Sequence, residues 1–143
     1  MLLNNSYKDP EITRNVHEEV GKPFTLKERI KLKGIGSPKL HIINASMGIR
    51  NLLTINNSTN TCNIELRPKG IVIGFHIRLE TYILVIPFYK LVLYKGKSDE
   101  YTFYRDQYFI KIRAGAQDTA IHNFVKKIIK LKDDNAPTKI EDL

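Results

Sequence analysis

Tryptophan is absent from the 143 residues, cysteine occurs once and methionine twice. The lone Cys62 leaves no internal disulfide framework and no cysteine-rich metal site. Long hydrophobic runs are missing as well. The most apolar stretch, Ile71 to Tyr94, is broken by His76, Arg78, Glu80, Pro87 and Lys90, so no helix of about 20 apolar residues is available to cross a bilayer. The opening MLLNNSYKDP has neither a basic start nor an apolar run of signal-peptide length, and the expected compartment is cytoplasmic. Acidic groups are the scarcer charge, 15 against 23 basic, for a formal net charge of +8. No block of five like charges occurs, so no polybasic arm or acidic tail acts alone. Internal repeats are absent, and the one biased tract is the polar loop Asn56–Asn60.

What is present describes an ordinary globular domain, with 42% hydrophobic residues. The positive excess sits mainly in the middle. Residues 39–115 carry eleven basic and five acidic side chains, residues 116–132 four and one, and residues 133–143 one and four. Such a balance permits an anionic partner without demanding one. Lys, Ile and Asn number 16, 19 and 11, a trio that AT-rich coding favours together, so part of the lysine excess is compositional. Lysine outnumbers arginine 16 to 7, whereas base and phosphate recognition favours the arginine fork.

Residues 1–38 read as a mixed or helical extension. Asp9-Pro10 is an N-cap followed by a first-turn proline, Ile12, Val16 and Val20 share one helical face, and Gly21 with Pro23 ends the run. Thr25 and Glu28 form a capping-box pattern before a short helix that stops by Gly34. From residue 40 the period becomes two. Ile43, Ala45, Met47 and Ile49 make a one-sided strand; Ile64 and Leu66 a second; Ile71, Ile73, Phe75, Ile77 and Leu79 a third. Tyr82–Ile86 and Phe88–Lys95 follow, split by Pro87, then Tyr101–Tyr104 and Tyr108–Arg113. The chain returns to helical period at 118–132, where Ile121, Phe124, Val125, Ile128 and Ile129 form an apolar stripe. Lys126, Lys127, Lys130 and Lys132 crowd its later turns, where cations suit the macrodipole. A polar tail, 133–143, follows.

Seven antiparallel strands and one closing helix resemble, over about residues 42–132, the pleckstrin-homology-like barrel, and the run Asn63-Ile64-Glu65-Leu66-Arg67-Pro68-Lys69-Gly70-Ile71 resembles its early hairpin. The resemblance implies an α+β domain at 39–132, in which two nearly orthogonal sheets form a seven-strand antiparallel barrel and the final helix plugs an open corner. The tryptophan common in the closing helix is missing, and Phe124 stands near its place. The phosphoinositide signature also fails, since Lys39 and Arg50 are followed by Leu52. The bacterial branch is the better comparison, and it implies a binding or assembly module.

Catalytic and metal-ligating constellations are weak. Cys62 has no histidine near it in sequence, and His17, His41, His76 and His122 show no H-x-H, HExxH or i, i+4 pairing. Glu65 and Glu80 are the only carboxylates of the early strands. Lys33-Gly34-Ile35-Gly36-Ser37-Pro38-Lys39 would cradle phosphate only with a helix directly behind it, so it reads as a flexible joint. Aromatic residues from Tyr82 to Phe109 alternate with cations, yet fall on both strand parities, which favours core packing over a stacking platform. The expectation is a non-enzymatic interaction module without cofactor or metal. It would bind a protein segment, by strand addition at an open sheet edge, or an anionic membrane surface. Candidate anion or partner contacts are Arg67, Lys69, Arg78, Lys90, Lys95 and Lys97. The alternatives are a single-stranded nucleic-acid binder, which would need five strands with a helix between the third and fourth, and a carrier or enzyme with a small-ligand cavity.

Overall fold

The computed structural model describes residues 1–6, 9–55, 60–97 and 99–136. It is an α+β arrangement of one eight-stranded antiparallel sheet and four helices. The strands run β1 (Leu2–Asn4), β2 (Leu40–Ala45), β3 (Thr61–Arg67), β4 (Gly70–Ile77), β5 (Glu80–Pro87), β6 (Val92–Lys95), β7 (Glu100–Arg105) and β8 (Tyr108–Arg113). Their order across the sheet is β1-β5-β4-β3-β2-β8-β7-β6. The helices are α1 (Pro10–Val20), α2 (Leu26–Lys31), α3 (Met47–Leu53) and α4 (Thr119–Asp134).

β2 is shared by two halves of the sheet. Leu40 and His41 pair with Cys62 and Thr61 of β3, while Ile42, Asn44 and Ala45 pair with Ile112, Lys111 and Ile110 of β8. The register slips between Ile42 and Asn44, a bulge that bends the strand where it changes partner. The alternating residues then put Ile64, Leu66, Ile71, Ile73, Phe75, Leu84, Ile86, Phe103, Ile110 and Ile112 on one inner face, all buried. α4 lays Ile121, Phe124, Val125 and Ile128 onto that core. Its Lys127 ammonium reaches across to the Lys33 carbonyl at 3.0 Å.

The outer face of β4 and β5 is covered too. Val16 and Val20 of α1 pack on Ile83 and Val85, with Leu3, Ile12 and Val72 at the margin. At ~1.5–3 kcal/mol for each of the two buried valines, this contributes roughly 3–6 kcal/mol gross, which holds an eleven-residue helix that propensity alone would not. It also explains why Ile83-Leu84-Val85-Ile86 is continuously apolar, since this part of β5 is buried on both faces. Arg105 ties the layers together. Its guanidinium forms a two-pronged pair with Glu19 of α1, at 2.9 and 3.0 Å, and donates to the Val85 carbonyl.

Several expectations are corrected. The strands number eight, because β1 joins β5 through Leu2↔Leu84, Leu3↔Ile83 and Asn4↔Tyr82. Among the described residues the sheet does not close: β1 and β6 are its two margins, and no pairing joins them. The strand expected over Ile43–Ile49 ends at Ala45, and Met47–Leu53 is helical. Ile49 and Leu53, four apart, are buried there, so helical burial overrides the alternation, and Ser46 stands at the N-cap of the helix. Phe88–Lys95 is a turn followed by the four residues of β6, with the Leu91 amide bonded to the Pro87 carbonyl. Gly34–Pro38 is not a free joint. The Leu66 amide donates to the Ile35 carbonyl and the Ser37 amide to the Ile64 carbonyl, so this segment runs along β3 and into β2. The Gly-x-Gly segment is therefore followed by a strand, not by the helix that a phosphate cradle requires. The loop Asn56–Asn60, apart from Asn60, and the tail from residue 137 lie outside the described residues.

Candidate interaction surface

Among the described residues no strand covers the far side of either margin, β1 or β6, and β6 is the one that borders a groove against α4. Register fixes which side chains of β6 face where. Leu93 and Lys95 lie opposite Phe103 and Tyr101, on the α4 side, while Val92 and Tyr94 lie opposite Tyr104 and Thr102, on the outside. Between β6 and α4 runs a groove of about 400 Å³ lined by Leu93, Lys95, Tyr101, Val125, Lys126, Ile129 and Lys132. Its floor is apolar and its rim carries three ammonium groups.

The floor is held firmly. Tyr101 is buried and its hydroxyl meets His122 Nδ1 of α4 at 2.7 Å. His122 Nε2 lies 2.8 Å from the Gly115 carbonyl, which can only accept, so Nε2 carries a proton and the ring bridges Gly115 to the Tyr101 hydroxyl. Burial raises the Tyr101 pKa, which keeps that hydroxyl protonated. The start of α4 is fixed by Asp118, whose carboxylate accepts from the Gly115 amide at 2.8 Å.

The six anticipated contact residues do not form one site. Arg67 is a latch: it donates to the Gly21 carbonyl at 2.9 Å and pairs with Glu65, which fastens the end of α1 to β3. Lys69 is exposed in the β3–β4 turn, and Lys90 faces Asp106 at 3.5 Å. Arg78 sits in the turn at the other end of β4 with φ 56°. Lys95 lines the groove, and Lys97 lies beside it with Lys95, Tyr101 and His122 around a second depression. Lys126 and Lys132, seen in the sequence as cations of the last helical turns, and Ile129 are not among the six anticipated contacts, yet all three line the groove. Ile129 was expected in the core stripe, but it is 44% exposed, because the sheet covers only part of a stripe that wide.

A second cleft, about 260 Å³, lies outside the sheet beneath α1, lined by Thr13, His17, Asn63, Glu65, Arg67 and Gly74 among others. It does not provide a carboxylate pair. Glu65 is engaged by Arg67, and Glu80, two strands away, accepts from the Asn4 amide and the Tyr82 hydroxyl. Among the described residues no group of three or more His, Cys, Asp or Glu side chains could hold a metal ion, and no helix is long and apolar enough to cross a membrane. The aromatic residues divide between core and surface: Phe75 and Phe103 are buried, while Tyr89 and Tyr94 are exposed. Tyr104 and Phe109 pack on each other at 5.6 Å on the outer face of the sheet. The sheet has eight strands and no helix among the described residues between β3 and β8, so the five-strand plan of the nucleic-acid alternative is not found.

Cys62 is buried in β3, and burial pushes its thiol up to about 12. The thiolate is the reactive form, so the native protein is expected to resist alkylation at pH 8 and to react fully once denatured, as thiol titration would show. Rapid native labelling would contradict the burial. No family model matches the chain, and no curated protein or solved structure does.

Proposed function

We propose that the protein is a non-enzymatic interaction module that captures an extended, acidic protein segment as an added strand on β6. One observation carries this reading: a sheet edge that no strand among the described residues pairs lies directly alongside an apolar groove rimmed by Lys95, Lys126 and Lys132. The edge offers main-chain hydrogen bonds, the groove takes alternate side chains, and the lysines select carboxylates. Two halves of a sheet sharing β2, with the last helix packed against the core, also support the pleckstrin-homology-like reading of the fold. A short edge strand ending in lysine is equally a device against aggregation, so the open margin needs a direct test.

Selection from a displayed library of ten-residue peptides supplies it. The recovered segments are expected to be acidic, with apolar residues at every second position. Ile129→Glu is expected to weaken them at least about tenfold, the loss of a buried apolar anchor being worth at least ~1.4 kcal/mol. Arg78→Ala, remote from the groove, should leave them unchanged. Binders indifferent to Ile129→Glu, or amide resonances of Val92–Lys95 that do not shift on binding, would sink the proposal.

A further inference from the structure

α2 buries none of its six residues, yet its segment is firmly held. Phe24 before it and Leu32 after it pack against the main core. Thr25 and Glu28 form a reciprocal capping box, and Arg29 Nε donates to the Phe24 carbonyl at 3.0 Å. What this fixed turn offers to solvent is apolar: Leu26 is 74% exposed and Ile30 71%. Side chains four apart on a helix form one ridge. At about 100° per residue, Arg29 lies about 60° to one side of Leu26, Lys27 and Lys31 lie about 100–140° to the other, and Glu28 falls at the back. Lys22 and Lys33 extend the basic surround, so residues 22–34 hold five cations and one carboxylate, and that carboxylate is committed to the cap.

We propose that α2 docks the protein onto an anionic bilayer surface, with Leu26 and Ile30 entering the boundary between headgroups and acyl chains while Lys27, Arg29 and Lys31 meet lipid phosphates. A convex ridge of two aliphatic side chains flanked by cations on both sides is the geometry of an interfacial anchor. It offers too little area for a stable protein interface and no ring on which a base could stack. The anchor uses no residue of the β6–α4 groove, so either proposal can fail without the other.

Vesicle flotation of the whole chain tests it, comparing phosphatidylcholine alone with phosphatidylcholine containing about one third phosphatidylserine, at about 0.1 M and about 0.5 M salt. Flotation is expected only with the anionic vesicles, and weaker at the higher salt. Each neutralised cation is worth about fivefold in partition, ~1 kcal/mol near such a surface, so Lys27→Gln with Lys31→Gln should cost about 25-fold. Leu26→Ser with Ile30→Ser should cost at least tenfold with an unchanged circular dichroism spectrum. Because the chain has no tryptophan, Leu26→Trp provides a unique reporter, and its emission should shift to the blue on anionic vesicles. Absence of flotation, flotation indifferent to the Leu26 and Ile30 substitutions, or a Leu26→Trp emission shifted by a single-stranded oligonucleotide and not by vesicles would overturn the proposal.

Discussion

Replacing Glu19 with Ala is expected to cost the fold about 3 kcal/mol, and replacing Arg105 with Met only about half as much. The asymmetry comes from what each change leaves behind. The Arg105 side chain is 7% exposed, so without Glu19 a guanidinium stays buried with the Val85 carbonyl and the more distant Asp106, at 3.7 Å, as its remaining partners. The Glu19 side chain is 23% exposed, so without Arg105 it turns to water, and a methionine fills the vacated volume. The hydrogen bonds and charge of Arg105 hold the Glu19 carboxyl below the usual carboxylate range, against the opposing effect of burial. A depressed carboxyl contributes stability above its unfolded pKa and loses that contribution as pH falls through the folded one. The advantage of the parent chain over Glu19→Gln should therefore be full at pH 6–7, begin to shrink near 4.5, and vanish below the lowered folded value. Urea melts of the parent and both variants across that range would check it. Equal costs for the two single substitutions, or a pH-independent difference, would show that the clasp carries little weight.

This clasp was hidden in the sequence. Glu19 and Arg105 are 86 positions apart, and nothing in either neighbourhood marks them as partners. What was legible is local. Asp9-Pro10 and Gly21 bound α1 because capping and a positive-φ stop, Gly21 at φ 88°, act within a few residues. The capping box of Thr25 and Glu28 likewise marks α2, and the alternation from Ile71 to Ile77 marks β4. The failures occur where one pattern satisfies two periods. Ala45, Met47 and Ile49 continue a strand alternation, while Ile49 and Leu53 equally suit a helix, and only the tertiary site decided between them. β1 is three residues long and carries no period at all. At the groove, Lys95 and Lys97 were visible as cations beside an aromatic strand. Lys126 and Lys132 were visible only as cations of a helix end, with no sign that they border a groove, and Ile129 was hidden because a helix sequence shows the width of an apolar stripe and not how much of it a partner sheet will cover.

Gly70→Ala is expected to destabilise the protein by about 3 kcal/mol, while Gly74→Ala, four residues along the same strand, should change stability by less than about 1 kcal/mol. Both glycines belong to β4 and neither has a positive φ, so the contrast lies in space and not in backbone conformation. A Cβ on Gly70 would overlap the Ile86 carbonyl oxygen and stand 2.5 Å from Val20 Cγ1 and 2.8 Å from Pro87 Cα. Two of those atoms are backbone of the neighbouring strand, and the third is a fully buried valine wedged against the sheet by α1. None can swing aside, so the strand pair or the helix must part. At Gly74 the nearest atom is Asn63 Oδ1 at 3.3 Å, the end of an exposed side chain that turns away, and an alanine there also gains strand propensity over glycine. The clash at Gly70 transmits to α1, because Val20 holds the C-terminal end of that helix and its carbonyl accepts from the Lys69 amide at 2.9 Å. Gly70→Ala should therefore raise hydrogen exchange selectively in α1 and at the Gly70–Pro87 end of the β4–β5 ladder. The core around Phe103 and Ile110 should stay protected. A Gly70→Ala variant as stable as the parent would mean that α1 does not press Val20 onto this strand, and the second layer of the fold would lose its main contact.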